Sequence, residues 1–205
     1  VGLNFGANPA SIAMMRMALS AAILLPMLFV RRKGQQTTPV QSLMKMTRRQ
    51  AMEHYLSVVA QAFEHGIVPR CHLEDITRAD FYGFVVPFAE ALRQLGEEAG
   101  IPVKIRACDT MGYGVNYQGA ALPRSVQGII YGLNHYAGLA SEQLEWHGHN
   151  DFYKVVTNAS TAWLYGASGV NCSLLGIGER TGNCPLEAMV IEYASLRGTT
   201  GGMDL

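Results

Sequence analysis

Helical and extended patterns alternate along most of this 205-residue chain, and this alternation restricts its fold more than any other feature. From residue 46 onward, the apolar spacing predicts one helix followed by four strand–helix units. The predicted strands span residues 67–76, 101–114, 141–149 and 168–178. Strands that alternate with helices of this length are typical of βαβ units, so the sequence predicts an α/β protein with a parallel sheet.

Three prolines refine the helix boundaries. Pro87 falls inside the helix predicted over residues 80–100, where its ring and its missing N–H should kink the helix. Pro123 and Pro185 lie near the starts of two later helices. We predict that both occupy or adjoin a first turn, where the missing N–H is tolerated.

The composition argues against several classes of protein. Lys and Arg together number 16, as do Asp and Glu, so no basic field indicates nucleic acid as a partner. Apolar residues make up 49% of the chain and charged residues 16%, which is typical of a packed globular protein. The four cysteines are scattered without a C-x-x-C pair, a spacing that predicts reduced thiols in a cytoplasmic protein.

A short apolar run near the N-terminus stands apart from this pattern. The run from Met17 to Val30 is shorter than the ~20 residues that span a bilayer, and Pro26 interrupts it. Basic residues follow the run, whereas a secretory signal peptide carries them in front. We therefore expect no membrane role and interpret the segment as a buried helix or a non-native end.

Every predicted strand is followed by a cluster of polar residues. The clusters read HLED, CDTMGYG, HGHND and GIGERTGN, and they begin at residues 72, 108, 147 and 176. Because the carboxyl ends of parallel strands meet at one edge of a sheet, α/β proteins place their chemistry there. The four clusters therefore predict one shared pocket.

The third cluster contains two histidines at alternate positions. Residues i and i+2 of an extended segment face the same side, so His147 and His149 should aim both imidazoles in one direction. Two converging neutral imidazoles suit a divalent cation, and a solvated pair is the alternative interpretation. The other four histidines, His72 among them, are interpreted as ordinary residues outside the site.

The fourth cluster, GIGERTGN, is rich in glycine but does not predict a phosphate-binding loop. Thr181 occupies the place of the last glycine in a G-x-G-x-x-G motif, and no P-loop lysine is present. The segment is therefore either a tight turn or part of the site. Asn183 at its end carries a side-chain carbonyl that can ligate a hard metal ion.

The first two clusters offer an acid–base group and polar ligands. Glu74 is the candidate acid/base because it lies at the mouth of its strand. Arg78 either binds substrate or pairs with one of the aspartates at positions 75 and 80, and either aspartate could instead cap the next helix. Thr110 can donate a hydrogen bond to a carboxylate, whereas Asp109 takes part in the site or only accepts from backbone amides of the turn.

Together these clusters resemble the metal-dependent acyl-CoA condensing enzymes on a TIM barrel, the isopropylmalate synthase and homocitrate synthase family. The resemblance rests on LEDITRAD, DTMGYG, HGHND and GIGERTGN, in that order and each at its own strand exit. Longer runs, such as RCHLEDITRADFYGFVVPF and EQLEWHGHNDFYKV, look closest to the Re-type citrate synthase branch. The resemblance implies a partial TIM (β/α)8 barrel that comprises strands five to eight with their helices.

This resemblance covers residues 42–198 and leaves both ends unmatched. In the family, the first strand carries a D-R-E-Q or D-G-Q-like motif whose Asp ligates the metal, and that motif is absent here. We therefore expect an unmatched apolar segment at residues 1–41, either a buried helix or of non-native origin. The C-terminal half of a catalytic barrel follows at residues 42–198, and then a tail at residues 199–205.

The resemblance also implies a chemistry. It assigns metal binding to His147, His149 and Asn183, substrate binding to Thr110 and Arg78, and acid/base catalysis to Glu74. The cation would be Mn, Mg, Co or Zn, and the reaction would condense acetyl-CoA with oxaloacetate to citrate. As a fragment, this chain is expected to be inactive alone. Homocitrate or 2-isopropylmalate formation, a metal-dependent aldol-type lyase and a non-catalytic remnant are the alternatives. For the full-length enzyme the resemblance implies a homodimer.

Overall fold

The computed structural model of the chain describes residues 46–204. The predictions made for residues 1–41, including the apolar run, lie outside the described residues. Within residues 46–204, no helix has both the length and the apolar character that crossing a membrane requires. The four cysteines all lie in the described part and are free thiols, as their spacing predicts.

Helices and strands alternate as the sequence predicts. The helices are α1 (Arg48–Glu64), α2 (Val86–Ala99), α3 (Val126–His135), α4 (Val155–Leu164) and α5 (Leu186–Arg197). The strands are β1 (Arg70–Leu73), β2 (Lys104–Asp109), β3 (Leu144–Gly148), β4 (Gly169–Ser173) and β5 (Cys184–Pro185). The two-residue strand β5 was not predicted, because two residues are too few to show a periodicity.

The five strands form one parallel sheet in the order β1-β2-β3-β4-β5. Each strand is hydrogen-bonded to the next strand along the chain, without the reversal of order that marks a doubly wound sheet. Sequential parallel strands joined by helices are the repeating unit of a (βα)8 barrel. The predicted α/β class and partial barrel are therefore confirmed.

The prolines give one confirmed prediction and two corrections. Pro185 immediately precedes α5, as predicted. Pro87 lies in the first turn of α2, directly after a π-helical turn at Phe81–Val85, so the helix changes geometry there instead of kinking in its interior. Pro123 lies outside α3, because the side chain of Ser125 accepts a hydrogen bond from the Gly128 amide and starts the helix later.

One face of the sheet packs against the helices and carries the apolar core. Ile105, Ala107, Leu144 and Trp146 are fully buried and belong to a single cluster with side chains from the helices. The intervening residues of β2 and β3 face the other way, since side chains alternate along a strand. That second face is polar, and it carries the candidate site.

An ion-pair layer occupies the amino-terminal part of the polar face. The Glu145 carboxylate accepts hydrogen bonds from Arg70 on one oxygen and from Arg106 on the other, at 2.7 to 3.1 Å. Three strands are thereby joined across the face, because the three residues lie on β3, β1 and β2. The candidate site lies beyond this layer, toward the carboxyl ends of the same strands.

Candidate functional site

The strand register brings the predicted residues to one edge of the sheet. In the parallel pairing, His147 on β3 lies beside Cys108 on β2 and beside Asn171 on β4. His149 follows the end of β3 and forms an isolated bridge with Asn183. The third and fourth polar clusters therefore meet, as the shared-pocket interpretation predicts.

The two predicted imidazoles converge instead of pointing apart. The Nε2 atoms of His147 and His149 are 3.1 Å apart, and the two rings are nearly perpendicular. His149 is only 7% exposed, and burial lowers the pKa of its imidazole. A converging pair with one buried ring is not the solvated surface pair that the sequence left open.

An amide from the neighbouring strand orients the pair. Oδ1 of Asn171 lies 2.8 Å from Nδ1 of His147, so the amide oxygen accepts a hydrogen bond from Nδ1 and turns Nε2 toward His149. Nδ1 of His149 is buried without a hydrogen-bond partner among the described residues. Nitrogens 3.1 Å apart can both ligate a cation that binds imidazole at about 2.0–2.1 Å. The donor set therefore fits the divalent cation that the resemblance implies.

Asn183 completes what we call the histidine cluster, defined as His147, His149, Asn171 and Asn183. Its side chain lies against Gly178, where an added Cβ would come within 1.6 Å of the Asn183 Oδ1 atom. Its backbone amide donates to the carbonyl of Gly176. The glycine-rich segment is therefore a tight turn, and the turn places Asn183 beside His149.

A second polar group, which we call the β1–β2 cluster, consists of His72, Glu74, Cys108 and Thr110. The Thr110 hydroxyl donates to one carboxylate oxygen of Glu74 at 2.7 Å and accepts from the Asp75 amide, also at 2.7 Å. The Glu74 side chain is 59% exposed, as expected for a residue that immediately follows β1. The predicted position of Glu74 at the strand mouth is confirmed, and its catalytic role stays a prediction.

The neighbouring acidic residues divide the roles that the sequence left open. Arg78 pairs with Asp75, and its guanidinium lies 5.7 Å from the centre of the Tyr113 ring. Asp80 caps the π-helical turn by accepting from the Gly83 amide at 3.0 Å. The substrate-binding role of Arg78 stays a prediction. About half of its side chain is exposed beside the ion pair with Asp75.

Asp109 performs a structural task at the end of β2. Its buried carboxylate accepts hydrogen bonds from the Thr77 hydroxyl and from the amides of Tyr113 and Gly114, each at 2.8 Å. Burial raises the pKa of this carboxyl group, and the three donors oppose that effect. The alternative in which Asp109 satisfies turn amides is therefore confirmed.

Arg180 links three strand exits and was not identified from the sequence. Its guanidinium pairs with the Asp151 carboxylate at 2.7 and 3.0 Å and also donates to the carbonyl of Thr110. Arg180 itself lies in the glycine-rich segment and has a positive φ of 53°. The only sequence signal was its place inside GIGERTGN, which does not reveal the partners.

His72 and Cys108 also belong to the site edge, although the sequence interpretation excluded His72. A ring nitrogen of His72, a carboxylate oxygen of Glu74 and the sulfur of Cys108 lie within 4.8 Å of one another, and all three are atom types that ligate metal ions. Alternation along β1 places His72 and Glu74 on the same face, a signal that the sequence does contain. Their proximity to Cys108 depends on the pairing of β1 with β2.

Comparison with known proteins agrees with this architecture. The profile of a family described as HMGL-like matches residues 34–205. The chain is similar to HMG-CoA lyase from Brucella melitensis, with a TM-score of 0.55 and 18% sequence identity over 78% of this chain and 55% of that structure. At this identity the likeness supports the fold alone.

Two curated relatives are much closer in sequence. The chain is 65% identical over 162 residues to a citrate (Re)-synthase from Clostridium kluyveri, which covers 79% of this chain and 36% of that protein. It is 57% identical over 161 residues to a citrate (Re)-synthase from Syntrophus aciditrophicus, which covers 78% of this chain and 26% of that protein. The chain therefore spans about a third or less of the length of these relatives.

Proposed function

Because the chain belongs to the HMGL-like family, we propose that its described residues form the metal-binding half of an enzyme that condenses acetyl-CoA with oxaloacetate to citrate. The observation that carries the proposal is the pair of imidazole nitrogens 3.1 Å apart at the carboxyl edge of the sheet. The two relatives named citrate (Re)-synthase support oxaloacetate as the oxo acid.

His147, His149 and Asn183 would hold the cation. Asn171 accepts the Nδ1 proton of His147, which keeps the Nε2 lone pair free for this purpose. A bound divalent cation supplies Lewis-acid polarisation of a keto oxygen. The ligands are imidazole and amide groups, which accept Mn, Mg, Co or Zn, so the donor set does not choose among these metals.

Glu74 would exchange the proton of the reaction. One carboxylate oxygen accepts the Thr110 hydroxyl, and the other faces His72 at 3.7 Å and is open to a substrate. In the proposed reaction the acetyl methyl group loses a proton to a base, and its carbon forms a bond to the keto carbon of oxaloacetate. The C=O π bond breaks, and the keto oxygen takes up a proton to become a hydroxyl. Water then cleaves the thioester and releases coenzyme A. The Glu74 carboxylate is the base candidate because it is exposed at this edge.

Thr110 and Arg78 would bind substrate carboxylates. The Thr110 hydroxyl could turn from Glu74 toward a bound carboxylate, since a hydroxyl hydrogen rotates freely. Arg78 is half exposed and holds its charge beside Asp75, so a second carboxylate can approach its free edge. Arg78 follows β1 and Thr110 follows β2, so both lie at the same edge of the sheet as the histidine cluster.

The wider context is part of the proposal. We assign residues 42–198 to one half of a catalytic barrel whose remaining strands would close the sheet. The free thiols favour a cytoplasmic location, and a homodimer is proposed for the full-length enzyme. These assignments rest on the resemblance of the motifs.

Metal binding can be tested on the purified chain, and condensation can be tested on the full-length enzyme. Mn²⁺ binding is measured by electron paramagnetic resonance for the wild type, for His149→Ala and for the control His65→Ala, which removes an exposed imidazole next to α1. We expect His149→Ala to weaken Mn²⁺ binding by at least about 100-fold, since even outer partners of a ligand contribute about 10–100-fold. An unchanged affinity would contradict the metal assignment.

The condensation assay follows coenzyme A release from acetyl-CoA with oxaloacetate, 2-oxoglutarate or 2-oxoisovalerate. We expect release to be fastest with oxaloacetate. A preference for another oxo acid would select a homocitrate or isopropylmalate synthase instead. Mn²⁺ binding without any coenzyme A release would support the non-catalytic alternative, and cleavage of a 3-hydroxyacyl-CoA would support the lyase.

A further inference from the structure

Three potential ligand atoms of the β1–β2 cluster converge without a shared role in the proposed reaction. They are a ring nitrogen of His72, a carboxylate oxygen of Glu74 and the sulfur of Cys108, all within 4.8 Å of one another. Glu74 is the proposed acid/base, but neither the His72 imidazole nor the Cys108 thiol takes part in the proposed condensation. The two strands that carry them are adjacent and parallel.

The chemistry of this group differs from that of the histidine cluster. The histidine cluster offers nitrogen and amide oxygen, whereas the β1–β2 cluster adds a sulfur. Thiolate ligands favour softer cations such as Zn²⁺, while Mg²⁺ and Mn²⁺ prefer oxygen. Two adjacent groups at one sheet edge therefore differ in the class of cation that they favour.

We propose that His72, Glu74 and Cys108 form a second cation site, which takes a thiophilic divalent ion such as Zn²⁺ and thereby blocks Glu74. Binding forms a metal–sulfur bond, and the proton of the Cys108 thiol is released to solvent. No oxidation or reduction occurs. The binding part stands on geometry alone, whereas the inhibition that follows rests on the proposed function.

Only a small rearrangement is needed to close the site. Zinc binds nitrogen, oxygen and sulfur at about 2.0–2.3 Å, so ligands up to 4.8 Å apart must approach slightly. Glu74 can supply this movement, because its side chain is 59% exposed and accepts a hydrogen bond from the Thr110 hydroxyl on one oxygen only. His72 is also exposed at 42% of its side chain and can rotate toward the ion.

The buried thiol makes the site selective. Cys108 is a fully buried free thiol. A cation that binds its sulfur must displace the thiol proton, which requires strong affinity for sulfur. Mg²⁺ lacks that affinity and should leave the site empty even where it fills the histidine cluster.

Cobalt provides the direct test, because a cobalt–thiolate bond gives a charge-transfer band that cobalt bound by nitrogen and oxygen lacks. The purified chain is titrated with Co²⁺ as wild type, Cys108→Ser and the control Cys71→Ser, which removes a half-buried thiol of β1. We expect the band in the wild type and in Cys71→Ser, and its loss in Cys108→Ser. A band that persists in Cys108→Ser, or its absence from the wild type, would overturn the proposal.

Two further variants guard against misfolding and separate the two sites. His72→Gln alters an exposed residue and should weaken the charge-transfer titration by at least about 10-fold. The double variant His147→Ala/His149→Ala should retain the band, because neither residue belongs to the proposed site. Loss of the band in the double variant, or no weakening in His72→Gln, would count against the assignment.

Inhibition is measured where coenzyme A release is observed. We expect Zn²⁺ to slow release by the wild type in the presence of Mn²⁺, and to slow release by Cys108→Ser at least about 10-fold less effectively. Equal inhibition of both proteins would refute the regulatory part. If the chain shows the cobalt band but the full-length enzyme releases no coenzyme A, the proposed function fails while the second cation site stands.

Discussion

The histidine cluster and the β1–β2 cluster lie at the same edge of the sheet but are held in different ways. His147 is fixed by the Asn171 amide, and His149 is buried beside a tight turn. Glu74, by contrast, is mostly exposed, and the Thr110 hydroxyl donates a hydrogen bond to one of its carboxylate oxygens. The difference indicates a rigid part suited to a fixed ligand and an adaptable part suited to proton exchange and substrate entry.

The largest expected effect tests the rigidity of the histidine cluster. Replacing Asn171 with Leu removes the acceptor that fixes the His147 tautomer, so we expect Mn²⁺ affinity to fall about 10–100-fold. Thr110→Val is the matched control on the adaptable side and should change the affinity less than about twofold. Mn²⁺ affinity is measured by electron paramagnetic resonance. Similar losses of affinity in both variants would show that the two clusters do not differ in rigidity.

A smaller effect is expected for the residue that joins the two clusters. Arg180→Met removes the pair with Asp151 and the hydrogen bond to the Thr110 carbonyl. Because the Arg180 side chain is 35% exposed, we expect a loss of about 1–2 kcal/mol in the free energy of unfolding, measured with urea.

The control for this variant is Arg49→Met. Arg49 is 86% exposed and pairs with Glu53 within α1, so its replacement should cost less than about 0.5 kcal/mol. Equal destabilisation by the two substitutions would mean that Arg180 and Asp151 form an ordinary surface ion pair. It would also mean that the contacts of Arg180 do not stabilise the two clusters.

The smallest effect concerns the adaptable side alone. Thr110→Val removes the donor to Glu74 and the acceptor of the Asp75 amide, and we expect about 0.5–1.5 kcal/mol of destabilisation in urea unfolding. The control is Thr157→Val. The exposed Thr157 hydroxyl in α4 donates to the carbonyl of Lys154, the residue before the helix, and its loss should destabilise the chain less than half as much. A Thr110 effect well above 2 kcal/mol would show that the β1–β2 cluster is as rigid as its neighbour.

Much of the fold follows from local patterns. Within residues 46–204, the apolar periodicity identified the five α-helices and four of the five strands, and the alternation of side chains placed His147 and His149 on one face. The predicted start of α3 near Pro123 was wrong. The helix begins after Ser125, because the Ser125 side chain caps its first turn. The two-residue strand β5 exists only through its pairing with β4.

The site was predicted less completely, and the missed residues have a common property. Asn171 contacts a histidine 24 positions away, and Arg180 reaches a carbonyl 70 positions away. Cys108 and His72 meet only because β1 and β2 pair in a particular register. Local periodicity contains no information about register, so these partners could not be derived from it.

The sequence by itself determined the α/β class, the polar strand exits and the common direction of the two imidazoles, because each depends on spacing within a few residues. The tertiary structure alone decided which amide orients His147, which guanidinium joins the exits and which thiol lies beside Glu74. Those contacts depend on how strands pair and how loops return to the sheet, and packing of the whole core sets both.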